Sequence, residues 1–295
     1  MTNWMQKSCA WLVKGMCLCV ISLPRRIQLG LGDLIGILWF DVLRIRRQLV
    51  LDNLQRAFPN LTYNERLKIG RRSLCNMGRT AVEFCYFPFL KTQNLSRHFT
   101  IYGYEKLLEA QNRKRGVCLL TCHLGAGDFG TAALSLKGLP VHLISKEFKI
   151  EWINRLWFGL RERMGTRFIK ARHSSFDILR ALKANDFVIF VQDQFMGPPI
   201  GAKTKFFGIE TGSALGLSVI ARKTNSPILP IYIYRQDDGR GIIMIEDELS
   251  WEEKENKEST LVHMTQKFND KIEEIVKLHP DQWMWVHRRW KKFTH

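Results

Sequence analysis

His123 and Asp128 bracket a glycine-bearing turn, Leu124-Gly125-Ala126-Gly127, at the end of the apolar run Val117–Cys122. Imidazole, with an unperturbed pKa of about 6.5, is the side chain best suited to take up a proton near neutral pH. A carboxylate on one ring nitrogen fixes the tautomer, steadies the imidazolium and leaves the other nitrogen free as a general base. The turn is short enough to fold Asp128 back to the ring. The same pattern also suits a strand-end histidine that bonds its own backbone, because His and Asp near turns are common. Asp193-Gln194 ends a second apolar run, Phe187–Gln192. If both runs are parallel strands of one sheet, Asp193 emerges on the crevice side with His123; otherwise it caps the loop that follows. Arg161 and Arg163, at the end of a predicted helix, suit phosphates or a developing oxyanion, or simply a charged surface.

Positioning these groups requires strands that stop at the histidine and the aspartate. From about residue 98 short apolar runs alternate with helical stretches. Strands are expected at 99–102, 117–122, 141–145, 167–169, 187–192, 228–234 and 241–246. Helices are expected at 104–111, 129–136, 150–164, 175–183, 212–223 and 257–278. That alternation predicts an α/β sheet domain, and no repeat or low-complexity linker marks a second globular domain. Upstream, Thr62-Tyr63-Asn64-Glu65 has capping-box spacing and opens a helix predicted to run to about Phe87, before Pro88. The stretch Gly197–Thr211, with Lys203, Lys205, Phe206 and Phe207, reads as a loop. It suits a ligand with anionic groups and hydrocarbon, or a cover packed over the sheet.

The chain carries a net charge of +17 and nine tryptophans. Such a surface fits nucleic acid, anionic headgroups or an acidic carrier protein, and tryptophan beside Lys and Arg favours the membrane interface. Seven cysteines without a Cys-x-x-Cys pair give neither a disulfide framework nor a zinc site. Cys122 beside His123 is awkward as a thiol nucleophile, since neighbours on a strand point to opposite faces. Two apolar segments, Cys9–Leu23 and Ile27–Phe40, are flanked by arginines and fall short of a standard span. They predict a membrane-inserted or interfacial anchor over residues 1–47, ahead of a catalytic domain at 48–295; a buried helical pair is the alternative. At the other end, Trp283, Val286 and Trp290 would share one face of a basic helix. Such a helix would lie on headgroups or lock onto the domain.

In combination these features resemble the glycerolipid acyltransferase superfamily, whose His-x4-Asp signature matches His123 and Asp128. One branch, the bacterial lipid A secondary acyltransferases, is similar in further segments taken in order. These are Asn53-Leu54 with Ala57-Phe58-Pro59, Asp193-Gln194, Phe206-Phe207-Gly208, and His279–Trp285 followed by Arg288-Arg289-Trp290-Lys291. Together they span roughly residues 50–292. The resemblance implies a glycerolipid-acyltransferase-like sheet domain at the cytoplasmic face of a bacterial inner membrane, with no metal, nucleotide or other cofactor. It implies acyl-carrier protein as donor and a hydroxyl of an anionic glycolipid, a Kdo-lipid IVA type lipid A precursor, as acceptor. His123 would be the general base and Asp128 its orienting carboxylate. Arg161 or Arg163 would supply the active-site arginine and Asp193 an acidic active-site position, all contacting substrate; Lys203, read from its basic loop, is expected to contact substrate as well. Gly127 departs from many members, which carry an aromatic residue there. Two other readings stand beside this one. The first is a same-superfamily transferase acting on a phosphatidylinositol mannoside or lysophospholipid. The second is a non-enzymatic basic protein binding membrane or nucleic acid.

Overall fold

The alternating runs assemble into a seven-stranded sheet, seen in a computed structural model that describes residues 3–147, 151–172 and 174–294. Its strands are β1 (Phe99–Tyr102), β2 (Val117–Thr121), β3 (Val141–Ser145), β4 (Arg167–Lys170), β5 (Phe187–Val191), β8 (Ile228–Arg235) and β9 (Gly241–Ile245). They lie in the order β1-β9-β8-β2-β5-β3-β4, and only β8 and β9 pair antiparallel. The intervening β6 (Gly201–Phe206) and β7 (Ile209–Ala214) form a separate antiparallel hairpin. Thus the stretch expected as a loop is a ribbon, turned at Phe207 and Gly208, both with positive φ.

β2 and β5 are central, which explains their unbroken apolar sequences: strands covered on both faces need no polar alternation. Cys118 and Leu120 face one apolar layer with Leu54, Phe268, Trp283 and Trp285. Val117 and Leu119 face the other, with Leu107, Phe129 and Leu134. This is the two-residue period of a strand read across the sheet. Helices α5 (Tyr104–Asn112), α6 (Gly127–Leu136), α7 (Glu151–Glu162), α8 (Ser175–Lys183), α9 (Gly216–Thr224) and α10 (Lys257–Leu278) complete the layers. The expected start of the 150–164 helix at Ile150 lies outside the described residues.

The N-terminal third is helical. It comprises α1 (Asn3–Ser22), α2 (Arg25–Ile37), a π-helical turn (Leu38–Leu43), α3 (Arg47–Ala57) and α4 (Tyr63–Glu83). The capping box at Thr62 and Glu65 is present as expected. The α-helix stops at Glu83, and a 3₁₀ turn carries the chain to Phe89 through Pro88, which cannot continue the α-helical bonding. Among the described residues no helix is long and apolar enough to cross a membrane. Nor is α2 a free-standing anchor, because its backbone lies directly on α4. A Cβ on Gly36 would sit 2.3 Å from Cys75 Cα, and one on Gly78 would sit 2.1 Å from the Gly32 carbonyl oxygen. Small residues four apart are what such close approach demands. Arg79 fastens the pair with a bidentate grip on Asp33, at 2.6 and 2.7 Å.

The C-terminal tryptophan segment forms no helix. It crosses the sheet as an irregular strap whose carbonyls are taken by buried side chains. Asn53 donates to the Trp285 and His287 carbonyls at 2.8 and 2.7 Å. Ser73 donates to that of Trp283 at 2.6 Å, and Asn76 to that of Asp281 at 3.0 Å. Trp283 and Trp285 are almost wholly buried, so they serve the core and not a headgroup layer.

Candidate active site

Strand β2 ends at Thr121, directly opposite Val191 of β5. The parallel register brings His123 and Asp193 out at one carboxyl edge, where open α/β sheets keep their crevices. Their contact is direct. Asp193 Oδ1 lies 2.7 Å from His123 Nδ1, and Asp193 Oδ2 accepts from the His123 backbone N–H at 2.8 Å. Trp283, delivered by the strap, donates its indole N–H to Oδ2 at 2.7 Å.

These bonds decide the electrostatics. Burial alone would raise the Asp193 carboxyl, but the charge and hydrogen bonds of His123, with the Trp283 N–H, override it and hold it at about 2. Burial in turn works against the His123 imidazolium. Asp193, by charge and hydrogen bond, and then the charge of Asp128, outweigh it and leave the imidazole pKa above 6.5. With Nδ1–H given to Asp193, Nε2 keeps its lone pair as the basic nitrogen.

The expectation that Asp128 orients the imidazole is therefore corrected. Asp128 acts on His123 only through its charge, and its own partner is Arg161, whose Nε donates to Oδ1 at 3.0 Å. Arg161 Nη2 is also 3.0 Å from that oxygen but makes no hydrogen bond there. The geometry has a local cause. Asp128 sits in the first turn of α6, where a carboxylate suits the helix N-terminus, and the turn before it delivers the side chain to Arg161. That turn depends on Gly125, at φ +53, where a Cβ would meet the Ile233 carbonyl oxygen at 2.3 Å.

Of the two arginines, Arg161 is the one that reaches the site. It is 2 % exposed, stacks 3.7 Å from the Trp157 ring centroid and donates to the Trp157 carbonyl at 2.7 Å. Arg163 is exposed and is not among the residues lining the cavity. Lys203 is also outside the site: it lies on the hairpin, paired with Glu210 at 2.9 Å. Asp193, expected to touch substrate, instead spends both oxygens on His123 and Trp283. Cys122 is buried, and burial followed by the Asp193 charge pushes its thiol well above 9, so it is no nucleophile.

His123 and Asp128 open onto a cavity of about 460 Å³. Its walls are largely apolar, with Leu134 from α6, Leu143 from β3, Ile189 and Val191 from β5, and Ile231 and Ile233 from β8. A pocket of that lining takes hydrocarbon. The family described as bacterial lipid A biosynthesis acyltransferase matches residues 2–292. The chain belongs to that family. It is 27% identical to the lipid A biosynthesis lauroyltransferase of Escherichia coli strain K12 over 289 residues, covering 95% of this chain and 90% of that one. It is 25% identical to the palmitoleoyltransferase of the same organism, again covering 95% of this chain and 90% of that one. Among solved structures, a 1-acyl-sn-glycerophosphate acyltransferase from Thermotoga maritima is similar at 16% identity and a TM-score of 0.40, with 91% of this chain and 100% of that one covered.

In this lipid A acyltransferase the sequence gives two further site residues no role: Gln194, seen only as the neighbour of Asp193, and His287. Gln194 Nε2 lies 3.3 Å from His123 Nε2 and equally 3.3 Å from His287 Nε2. An amide N–H shared between the two Nε2 atoms fits imidazoles protonated on Nδ1, which the Asp193 bond already requires of His123. The His287 imidazole is pushed below 6.5 by burial and then by the nearby His123 charge. The Asp193-Gln194 pair was visible in sequence, but only the strap shows that His287 is its third member. The segments that resemble the family are largely the parts that hold this strap: Phe206 packs on Trp283 and Trp290, and Phe58 on Phe207 and Trp285.

Proposed function

We propose that this chain transfers a fatty acyl group from acyl-carrier protein to a hydroxyl of a Kdo-lipid IVA type lipid A precursor, with His123 as general base. The observation that carries this reading is a carboxylate-held imidazole in the wall of an apolar cavity. A secondary hydroxyl is a weak nucleophile near neutral pH, so a base must take its proton as it attacks a thioester carbonyl. In the resting site Nε2 accepts only a long bond from Gln194, which the acceptor hydroxyl replaces. His123 Nε2 then removes the hydroxyl proton while the oxygen adds to the carbonyl carbon. The oxyanion forms beside the start of α6, where the N–H groups of Gly127 and Asp128 precede the first helical acceptors. The Gly125 N–H is not among these donors, because it is spent on the Gln282 carbonyl at 3.1 Å. Collapse breaks the C–S bond, and the imidazolium proton passes to the departing thiolate.

The setting is the cytoplasmic face of the bacterial inner membrane, with residues 1–47 seating the enzyme and 48–295 performing the reaction. Exposed large apolar side chains concentrate in that segment, among them Leu34, Leu38, Val42 and Leu43. A surface of that kind suits interfacial burial of helix faces rather than a span. The charge of +17 serves encounter with an acidic carrier and an anionic acceptor. The test is an assay of purified enzyme with lipid A precursor and acyl-carrier proteins of several chain lengths. His123→Ala is expected to lower turnover by about 10²–10⁴ while leaving membrane association unchanged. A variant that acylates at the parental rate would remove the assignment.

A further inference from the structure

A second cavity, of about 440 Å³, has polar and basic walls built by Arg25, Arg97, His98 and Arg240 together with Tyr86 and Asp238. Sheet register fixes its place. β1 and β9 pair in parallel from Phe99 opposite Gly241, and the Gly241 N–H donates to the His98 carbonyl at 2.8 Å. The residues just ahead of both strands therefore emerge together. Because β9 runs against β8 and β8 runs with β2, they emerge at the same edge as His123. Along the order β1-β9-β8-β2 the two sites are two to three strand spacings apart, about 10–15 Å.

Arg25 is the fixed wall. It donates to Glu83 at 2.9 Å and to the Gly239 carbonyl at 2.5 Å, and it lies over the Tyr86 ring at 5.8 Å. Glu83 is shared with the buried Arg235, at 2.6 Å, so it does not neutralise Arg25 alone. Arg97 and Arg240 are exposed at the rim. Arg240 reaches Asp238 only at 3.4 Å, and Arg97 has no ion-pair partner among the described residues. His98 packs edge-on to Tyr86 with centroids 4.8 Å apart, and its pKa is lowered by burial and then by the Arg25 charge. The cavity is thus positive before anything enters it. Guanidinium forks match tetrahedral oxyanions; Arg97 and Arg240 offer theirs at the rim, and Arg25, whose N–H groups go to Gln28, Glu83 and the Gly239 carbonyl, adds charge behind them. Arg25 opens α2, a helix that also carries the exposed apolar residues Ile27, Leu34 and Ile35. A phosphate whose hydrocarbon chains could lie along that helix suits the placement, which favours a lipid as its source.

We propose that this cavity binds the phosphate group of an anionic membrane lipid. On the acyl-transfer reading, on which this last clause alone rests, that lipid is the acceptor, anchored so that a hydroxyl 10–15 Å away meets His123.

The test reads binding and not turnover, so its failure is separable from failure of the acyl-transfer assignment. Full-length protein is sedimented with phosphatidylcholine vesicles, plain or doped with a lipid phosphomonoester. Inorganic phosphate is titrated in parallel at constant ionic strength. Arg97→Ala/Arg240→Ala is compared with Lys223→Ala/Lys257→Ala, which removes the same charge from exposed positions elsewhere. The wild type and the lysine control are expected to prefer doped vesicles at least tenfold, and the arginine variant to lose roughly tenfold of that preference. Unaltered thermal melting shows that each variant is folded. Equal losses in both variants mean general electrostatics and overturn the proposal, as does a wild type indifferent to doping. Inorganic phosphate bound through these arginines without a vesicle preference makes the ligand a soluble phosphate, and the lipid assignment falls.

Discussion

Asp193 Oδ1 sits 2.7 Å from His123 Nδ1, although 70 residues separate the two in sequence and Asp128 is only five away. The imidazole is therefore oriented by the neighbouring strand, and Asp193→Asn is expected to do more harm than Asp128→Asn. An amide at 193 turns an N–H toward the His123 and Trp283 donors or reverses the imidazole tautomer. Turnover should fall by about 10³–10⁴, the scale of losing a tautomer-fixing carboxylate. Asp128→Asn should retain at least tenfold more activity, because it removes only a remote charge from His123. Steady-state kinetics of the two purified variants decides it, and equal collapse with identical pH profiles would contradict the assignment.

The pH profile follows from the same pair. His123 works as a base only when neutral, and Asp193 and Asp128 raise its folded pKa above 6.5 against the effect of burial. Activity should therefore climb with pH through a midpoint above 6.5. In Asp128→Asn the midpoint should move to lower pH, because one stabilising charge has gone. The stability linkage has its own sign. The raised His123 pKa contributes stability that is complete below about 6.5 and is lost as pH rises through the folded value. Asp193, lowered from 3.8 to about 2, contributes stability that is present above 3.8 and is lost as pH falls toward 2. A midpoint at or below 6.5 in the parent would remove the role given to the carboxylates.

The sheet and most of its boundaries were legible because β2 and β5 are continuous apolar runs and their flanking helices keep a 3.6-residue period. Helix α10 at 257–278 and strand β3 at 141–145 fall where the pattern puts them. The crevice holding His123 and Asp193 was legible as a condition, namely that the two strands be parallel. Which carboxylate meets Nδ1 was not, because strand register decides it and register is not written in local spacing. The strap departs from its helical spacing for a different reason. Trp283, Val286 and Trp290 do have helical spacing, but Asn53, Ser73 and Asn76, remote in sequence, capture the carbonyls a helix would have used. The contact of α2 with α4 was equally hidden, since Gly32, Gly36 and Gly78 signal close approach only once the partner helix is known.

The Asp128–Arg161 pair should be asymmetric in stability. Arg161 is 2 % exposed whereas the Asp128 side chain is 33 % exposed. Removing the acid leaves a buried guanidinium with only the Trp157 carbonyl and its ring contacts, a change that costs about 1–3 kcal/mol given the exposure of the acid. Removing the guanidinium in Arg161→Met leaves a carboxylate that the open cavity can hydrate, and methionine keeps an apolar contact with the Trp157 ring. Urea unfolding of Asp128→Ala and Arg161→Met should place the first well below the second. The reverse order would show that the stacked cation, and not the pairing, dominates this corner.

The apolar cavity makes the most direct functional prediction. Leu143 lines it from β3, on the wall shared with Ile189 of the adjoining strand. Leu143→Trp adds a ring to a space of about 460 Å³ without touching His123, Asp193 or the start of α6. A bound acyl chain must then end sooner, and each methylene excluded from an apolar site forfeits about 0.8 kcal/mol, close to fourfold in relative kcat/KM. The preferred donor should shorten by about two to four carbons, while kcat on that shorter donor stays within a fewfold of the parent, because the reacting groups are unmoved. The measurement is a competition among acyl-carrier proteins bearing chains of graded length, with products separated by mass. If the chain preference is unchanged while the variant remains folded and active, the acyl group lies elsewhere, and the cavity beside His123 is not its pocket.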